Sequence, residues 1–212
     1  MEIYEYGNPN ANIVLIQPVA NHDMSYTGNE AEAIKALSLS ETDFRLIAVK
    51  VNNWNNDLSP WKAPAVFGNE DFGGNASKML EEILKLTEDK NKTYYIGGYS
   101  LAGLFALWVS YQTGVFSGVV AASPSIWFPD FIDYMKCHDI KVPKVYLSLG
   151  DREEKTKNPV MSTVGKCIRK AYEHLIDTGI DATLEWNQGN HFKEPDVRTA
   201  KGFAWVIRKT SM

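Results

Sequence analysis

The chain has 212 residues, 44% of them hydrophobic and 23% charged, a composition that fits one folded domain over residues 1–212 and excludes a disordered or collagen-like chain. Twenty-two Lys and Arg against 26 Asp and Glu give a net charge of −4, and no basic block occurs that would neutralise a run of phosphates, so nucleic acid is excluded as a partner. Cys137 and Cys167 are too few for a disulfide framework or a zinc site. No apolar run reaches the length of a membrane span, and the start MEIYEYGNPN lacks the pattern of an export signal, so a cytoplasmic protein is expected.

In chain order, Glu2–Tyr6 reads as an added antiparallel edge strand and Asn12–Ile16 as the first core strand. Asn29-Glu30-Ala31-Glu32 supplies a capping side chain and first-turn acids for a helix reaching Leu37. Phe44–Val51 is the next strand. A long connection, Asn52–Gly74, follows and carries Trp54, Trp61, Phe67 and Phe72. Helical spacing then joins Ala76, Met79, Leu80 and Ile83, and a strand over Tyr94–Gly97 leads to a second helical series, Leu101, Leu104, Phe105 and Trp108. After a strand at Gly118–Ala122 comes a second long connection, Ser123–Val142, with one short helix. A strand at Lys144–Leu149 precedes a helix with Val164, Cys167, Ile168, Ala171 and Leu175 on one face, capped near Gly179. Thr183–Trp186 is the last strand before a terminal helix. Strands alternating with helices predict an α/β chain with a mostly parallel sheet covered on both faces. In such sheets ligands bind beyond the carboxyl ends of the strands, where both long connections leave. Six Trp, ten Tyr and nine Phe therefore divide between core packing and the walls of a site.

Chemistry concentrates at Gly98-Tyr99-Ser100-Leu101-Ala102-Gly103, where a strand meets a helix. This Gly-x-Ser-x-Ala-Gly turn has the form of a nucleophile elbow. Its sharpness requires small residues two before and two after the serine, and it presents the hydroxyl at a helix N-terminus, where the free amide of Leu101 favours developing negative charge. A serine needs a base. His191, in a Gly-containing loop after the last strand, is the candidate, while His138 and His174 read as surface residues. His22, after the first core strand, is a candidate for substrate contact. A carboxylate is expected after Lys144–Leu149. Glu153 stands three residues past Gly150 and is the first choice, with Asp151 second, Glu154 third and Asp130 a remote alternative. The order serine, acid, histidine along the chain is the one this elbow requires. Pro18 has no amide hydrogen, which leaves Val19 or Ala20 as the second oxyanion donor, Val19 slightly favoured. Phosphate-loop, dinucleotide and His-Glu-x-x-His motifs are absent, so no cofactor and no metal is expected.

The elbow, Ser123-Pro124-Ser125-Ile126-Trp127-Phe128, Leu147-Ser148-Leu149-Gly150-Asp151-Arg152-Glu153 and Gly189-Asn190-His191-Phe192 together resemble the α/β-hydrolase superfamily. More narrowly, they are similar to the esterase family that includes S-formylglutathione hydrolases, siderophore esterases and mycolyltransferases. The resemblance covers most of the chain and implies a three-layer α/β-hydrolase fold and a serine esterase with Ser100, His191 and an acid near Glu153, acting on a small-molecule ester. The chain departs from that pattern in having Gln17-Pro18 where a His-Gly oxyanion motif is usual, and in lacking an insertion for a lid. Trp54, Trp61, Trp127 and Phe128, with Tyr99 and His22, are then the expected substrate walls of a minimal, lidless enzyme. An acyltransferase sharing the acyl-enzyme, or a catalytically silent binding protein on the same scaffold, are the competing readings.

Overall fold

The structure is a computed structural model and describes residues 1–21, 26–38 and 42–208. Seven strands form the main sheet. They are β1 (Ile3–Gly7), β2 (Ile13–Ala20), β3 (Phe44–Val51), β6 (Thr93–Tyr99), β7 (Phe116–Ala122), β8 (Lys144–Gly150) and β9 (Asp181–Asn187), with a two-stranded hairpin of β4 (Lys62–Ala63) and β5 (Phe72–Gly73) apart from it. The helices are α1 (Thr27–Leu37), α2 (Trp54–Asp57), α3 (Ala76–Leu84), α4 (Leu101–Gln112), α5 (Phe131–Cys137), α6 (Val164–Asp177) and α7 (Pro195–Val206). The strand order is β1-β3-β2-β6-β7-β8-β9, with β1 antiparallel to β3 and every other pairing parallel.

Side-chain alternation decides which layer each strand feeds. Val14 and Ile16 point into a core shared with α3, α4 and α6, while Leu15 points into one shared with α1 and α7. In α6, Val164, Ile168, Ala171 and Leu175 are buried, a single stripe at helical period. By contrast, α4 is buried on nearly every side, as expected for a helix that is apolar all round. Burying each large apolar side chain of α4 contributes roughly 1.5–3 kcal/mol, so the helix that follows Ser100 is firmly anchored. None of the helices among the described residues is long and apolar enough to cross a membrane.

Two expectations change. β2 continues past Ile16 to Ala20, although Pro18 lies within it. Pairing to β6 stops at Ile16 while pairing to β3 runs on to Ala20, so a proline whose missing donor faces the β6 side costs no ladder bond. Helix α1 starts at Thr27, and no side chain caps it. Asn29 is therefore not its cap; Glu30 does stand in the first turn, but on the inward face, 3% exposed.

Candidate active site

From the β2–β6 pair the chain proceeds outward in opposite directions, to β3 on one side and to β7, β8 and β9 on the other. That reversal opens a crevice at the carboxyl ends of β2 and β6. Ser100 sits there, directly after β6 and before α4. Its backbone has φ 59° and ψ −122°, a conformation that a residue with a Cβ rarely adopts. The local sequence makes the turn possible: a Cβ on Gly98 would stand 2.6 Å from that of Ala102. The Ser100 amide donates to the Ala122 carbonyl (3.1 Å), and the Ser100 carbonyl accepts from the Ser125 amide (3.0 Å).

His191, in the loop between β9 and α7, lies with Nε2 3.0 Å from Ser100 Oγ and Nδ1 2.7 Å from Glu153 Oε2. Glu153 opens the short 3₁₀ turn Glu153–Lys155 after β8 and is buried. Burial pushes its carboxyl up, but hydrogen bonds from His191, Ser123 and the Gly150 amide outweigh that and hold it below the ordinary carboxylate range. Gly150 is required for this approach, since a Cβ there would lie 2.9 Å from Glu153 Oε1 and 2.4 Å from the Gly189 carbonyl.

The other two acids are held elsewhere. Asp151 accepts from the Gly189 amide (2.8 Å), which ties the β8 turn to the histidine loop. Glu154 pairs with Arg169 at 3.1 Å on the half-exposed face of α6. Asp130, within the Ser123–Val142 connection, adopts a left-handed conformation ahead of α5. Glu154→Gln is therefore expected to change ester turnover by less than about twofold, because an exposed ion pair contributes little. A steady-state assay with a p-nitrophenyl ester checks this.

Arg198, on α7, escaped the sequence reading. It is 2% exposed. Nη1 donates to Glu153 Oε1 (2.9 Å), Ser123 Oγ (3.1 Å) and Tyr99 Oη (3.1 Å), and Nη2 to the carbonyls of Asn190 (3.0 Å) and Gln188 (3.3 Å). One guanidinium thus joins the ends of β6, β7 and β8 to the histidine loop. The signal in the sequence is slight: an arginine beside Thr199, Gly202, Phe203 and Val206, which form the buried face of α7.

Two cavities meet at the Ser100–His191 pair, one of about 890 Å³ and the other of about 670 Å³. Trp54, Ser100, His191 and Phe192 line both. Val19, Ala20 and Tyr99 line the larger, while Trp127 and Phe67 line the smaller. Tyr99 also donates from its hydroxyl to the His191 carbonyl at 2.7 Å. Trp61 and Phe128, expected as walls, line neither cavity. Trp61 donates to the Pro129 carbonyl (3.2 Å) and packs with Phe128, Phe131 and Tyr134, while Phe128 packs on Phe72. They seal the core under the site because indole and phenyl rings bury well wherever a loop crosses a sheet end. His22 lies outside the described residues. Phe192, read from the sequence only as part of the histidine motif, is 85% exposed and stands between the positive-φ residues Gly189 and Glu194.

No family model matches the chain, and no curated protein sequence matches it. Solved structures do. An IroE-like serine hydrolase from Shewanella oneidensis is similar with a TM-score of 0.77 at 15% identity, over 96% of this chain and 74% of that one. The siderophore hydrolase EstA from Aspergillus nidulans is similar with a TM-score of 0.69 at 20% identity, over 94% and 84% of the two chains. EstB from the same organism gives 0.66 at 15% identity, over 96% and 89%. At these identities the likeness is one of backbone architecture, and with the parallel sheet, its reversal point and the elbow it establishes that the chain has the α/β-hydrolase fold.

Proposed function

We propose that the protein is a serine esterase that cleaves carboxylic esters through an acyl-enzyme. The observation that carries this reading is the hydrogen-bonded chain Ser100–His191–Glu153, with links of 3.0 and 2.7 Å, at the crevice where an α/β sheet binds ligands. The neighbouring folds, described as serine hydrolases and siderophore hydrolases, support ester hydrolysis as the reaction class. Ser100 Oγ attacks the ester carbonyl while His191 Nε2 takes its proton, and the imidazolium then protonates the departing alkoxide. Water repeats the sequence on the acyl-enzyme, releasing the acid and restoring Ser100. Glu153 accepts from Nδ1 and so keeps Nε2 free to act as the base.

Two amides would hold the oxyanion. Leu101 is the first residue of α4, where an N–H has no intrahelical acceptor. On β2, strand alternation places Ala20 on the same side as Pro18, the side that β6 leaves unpaired beyond Ile16. Ala20 is thereby the better donor and Val19, turned toward β3, the poorer one.

A fluorophosphonate is expected to label Ser100 in the folded protein, and p-nitrophenyl acetate and butyrate are expected to be turned over, with a rate that falls on acidification because an imidazolium cannot accept the serine proton. Absence of both labelling and turnover overturns the reading in favour of a silent binding protein. Acyl transfer is the second reading, favoured by the two cavities that meet at Ser100, since an acceptor alcohol would reach the acyl-enzyme from the side opposite the acyl group. Product analysis with added alcohols separates it from hydrolysis.

A further inference from the structure

Glu30 has no part in the Ser100–His191–Glu153 chain, yet it is almost wholly buried, 3% exposed, on the inward face of α1. It lines the larger cavity together with Gln17 of β2, which is 5% exposed. The two side chains are linked: Gln17 Nε2 donates to Glu30 Oε2 at 3.1 Å. The amide oxygen of Gln17, Oε1, and the second carboxyl oxygen of Glu30, Oε1, have no hydrogen-bond partner among the described residues. A buried acceptor left in this way is costly, and here two belong to one bonded pair. With Glu30 ionised, what they lack is a donor.

The rest of the cavity narrows the class of donor. Glu194 and Asp196 also line it, and no lysine or arginine does so among the described residues. Away from the oxyanion amides, an anionic group would meet the repulsion of these carboxylates. Trp54, Tyr99 and Phe192 supply aromatic surface, which suits both an alkyl chain and a cation. Burial pushes the Glu30 carboxyl up to about 8, opposed by the Gln17 bond and reinforced by Asp196. At neutral pH, losing that proton costs about a factor of ten, which the ion pair with a bound cation has to offset.

We propose that the larger cavity binds the arm of the substrate that ends in a primary ammonium group, with Gln17 and Glu30 accepting its N–H bonds. This deepens, and as a statement about substrate rests on, the esterase reading of Ser100. In that reading the smaller cavity, with Trp127 and Phe67, takes the other, apolar arm.

The test is a calorimetric titration of the full chain at pH 7 with n-alkylammonium chlorides from butyl to octyl and with 1-alkanols of the same lengths. At the best length the ammonium is expected to bind at least about tenfold tighter than the matched alcohol. Glu30→Gln is expected to bring the two within about twofold. Equal binding of alcohol and ammonium in the unsubstituted protein overturns the proposal, as does a preference that survives in folded Glu30→Gln. If Glu30→Gln does not fold, Gln17→Met reports on the same pair: the preference falls at least about threefold, and an unchanged preference overturns the proposal. Because these ligands are not esters, the outcome is independent of whether Ser100 reacts with fluorophosphonate.

Discussion

Ester turnover is expected to fall by on the order of 10⁴ to 10⁶ in Ser100→Ala and by a similar factor in His191→Ala, while the double variant is expected to be no slower than either single one. The reason is geometric. Ser100 Oγ is a poor nucleophile until its proton has somewhere to go, and the base within hydrogen-bond reach is His191 Nε2 at 3.0 Å. Remove either partner and the same step is lost, so the second removal has nothing left to take away. Rate that survives comes from water attacking an ester still held against the oxyanion amides. Neither side chain is part of the apolar core, so both variants should melt as cooperatively as the parent. Measured kcat values for p-nitrophenyl butyrate decide the matter, and losses that multiply in the double variant would assign the two residues to separate steps.

The second large effect is expected at the buried pair behind the histidine. Glu153→Gln should lower kcat by on the order of 10³ to 10⁴, because an amide cannot fix the imidazole tautomer as a carboxylate does. Arg198→Met should lower kcat by about 10² with a much smaller change in KM, and destabilise the fold by roughly 3–5 kcal/mol, because it leaves a carboxylate buried without its countercharge. Arg198 lines neither cavity. It is a positioning residue, and a purely structural role would not move the pH dependence. Glu153 is held below the ordinary carboxylate range in the folded chain, so the stability it confers is complete above that range and is lost as the pH falls through the lowered value. Without Arg198, both acid unfolding and the acid limb of the kcat profile should shift to higher pH. Arg198→Lys should restore part of the stability and less of the rate, since an ammonium cannot span Glu153 and the Asn190 and Gln188 carbonyls as a planar fork does. Unchanged pH limbs in Arg198→Met would reduce Arg198 to packing.

Much of this was legible in the sequence, for reasons particular to each element. The central stretches of β3, β7 and β8, residues 46–49, 119–122 and 145–147, are continuous apolar runs because both faces of the sheet are covered, and their assignment needs no tertiary information. The elbow was legible because steric demand at Gly98 and Ala102 is local. Choosing among Asp151, Glu153 and Glu154 was harder. Three acids within four residues differ only in where a single 3₁₀ turn points them, and that turn is set by partners 30 and more residues away, Ser123, His191 and Arg198. Arg198 itself was invisible for the same reason, since a charge on the buried face of a helix makes sense only once its acid is known. Extension of β2 through Pro18 was hidden because a proline ordinarily ends a strand, and it is tolerated here only because β6 diverges at that point.

The backbone at Ser100, held at φ 59°, has a consequence for how such a chain can change over time. Positive φ of this kind costs a residue with a side chain on the order of 1–3 kcal/mol, and glycine would occupy the same dihedrals almost freely. On the proposed esterase reading, drift toward greater thermal resistance at this position therefore runs directly toward an inert protein. Selection for turnover alone keeps a hydroxyl at the steepest point of the turn, and the reserve that offsets it must be found elsewhere, in helices as thoroughly buried as α4.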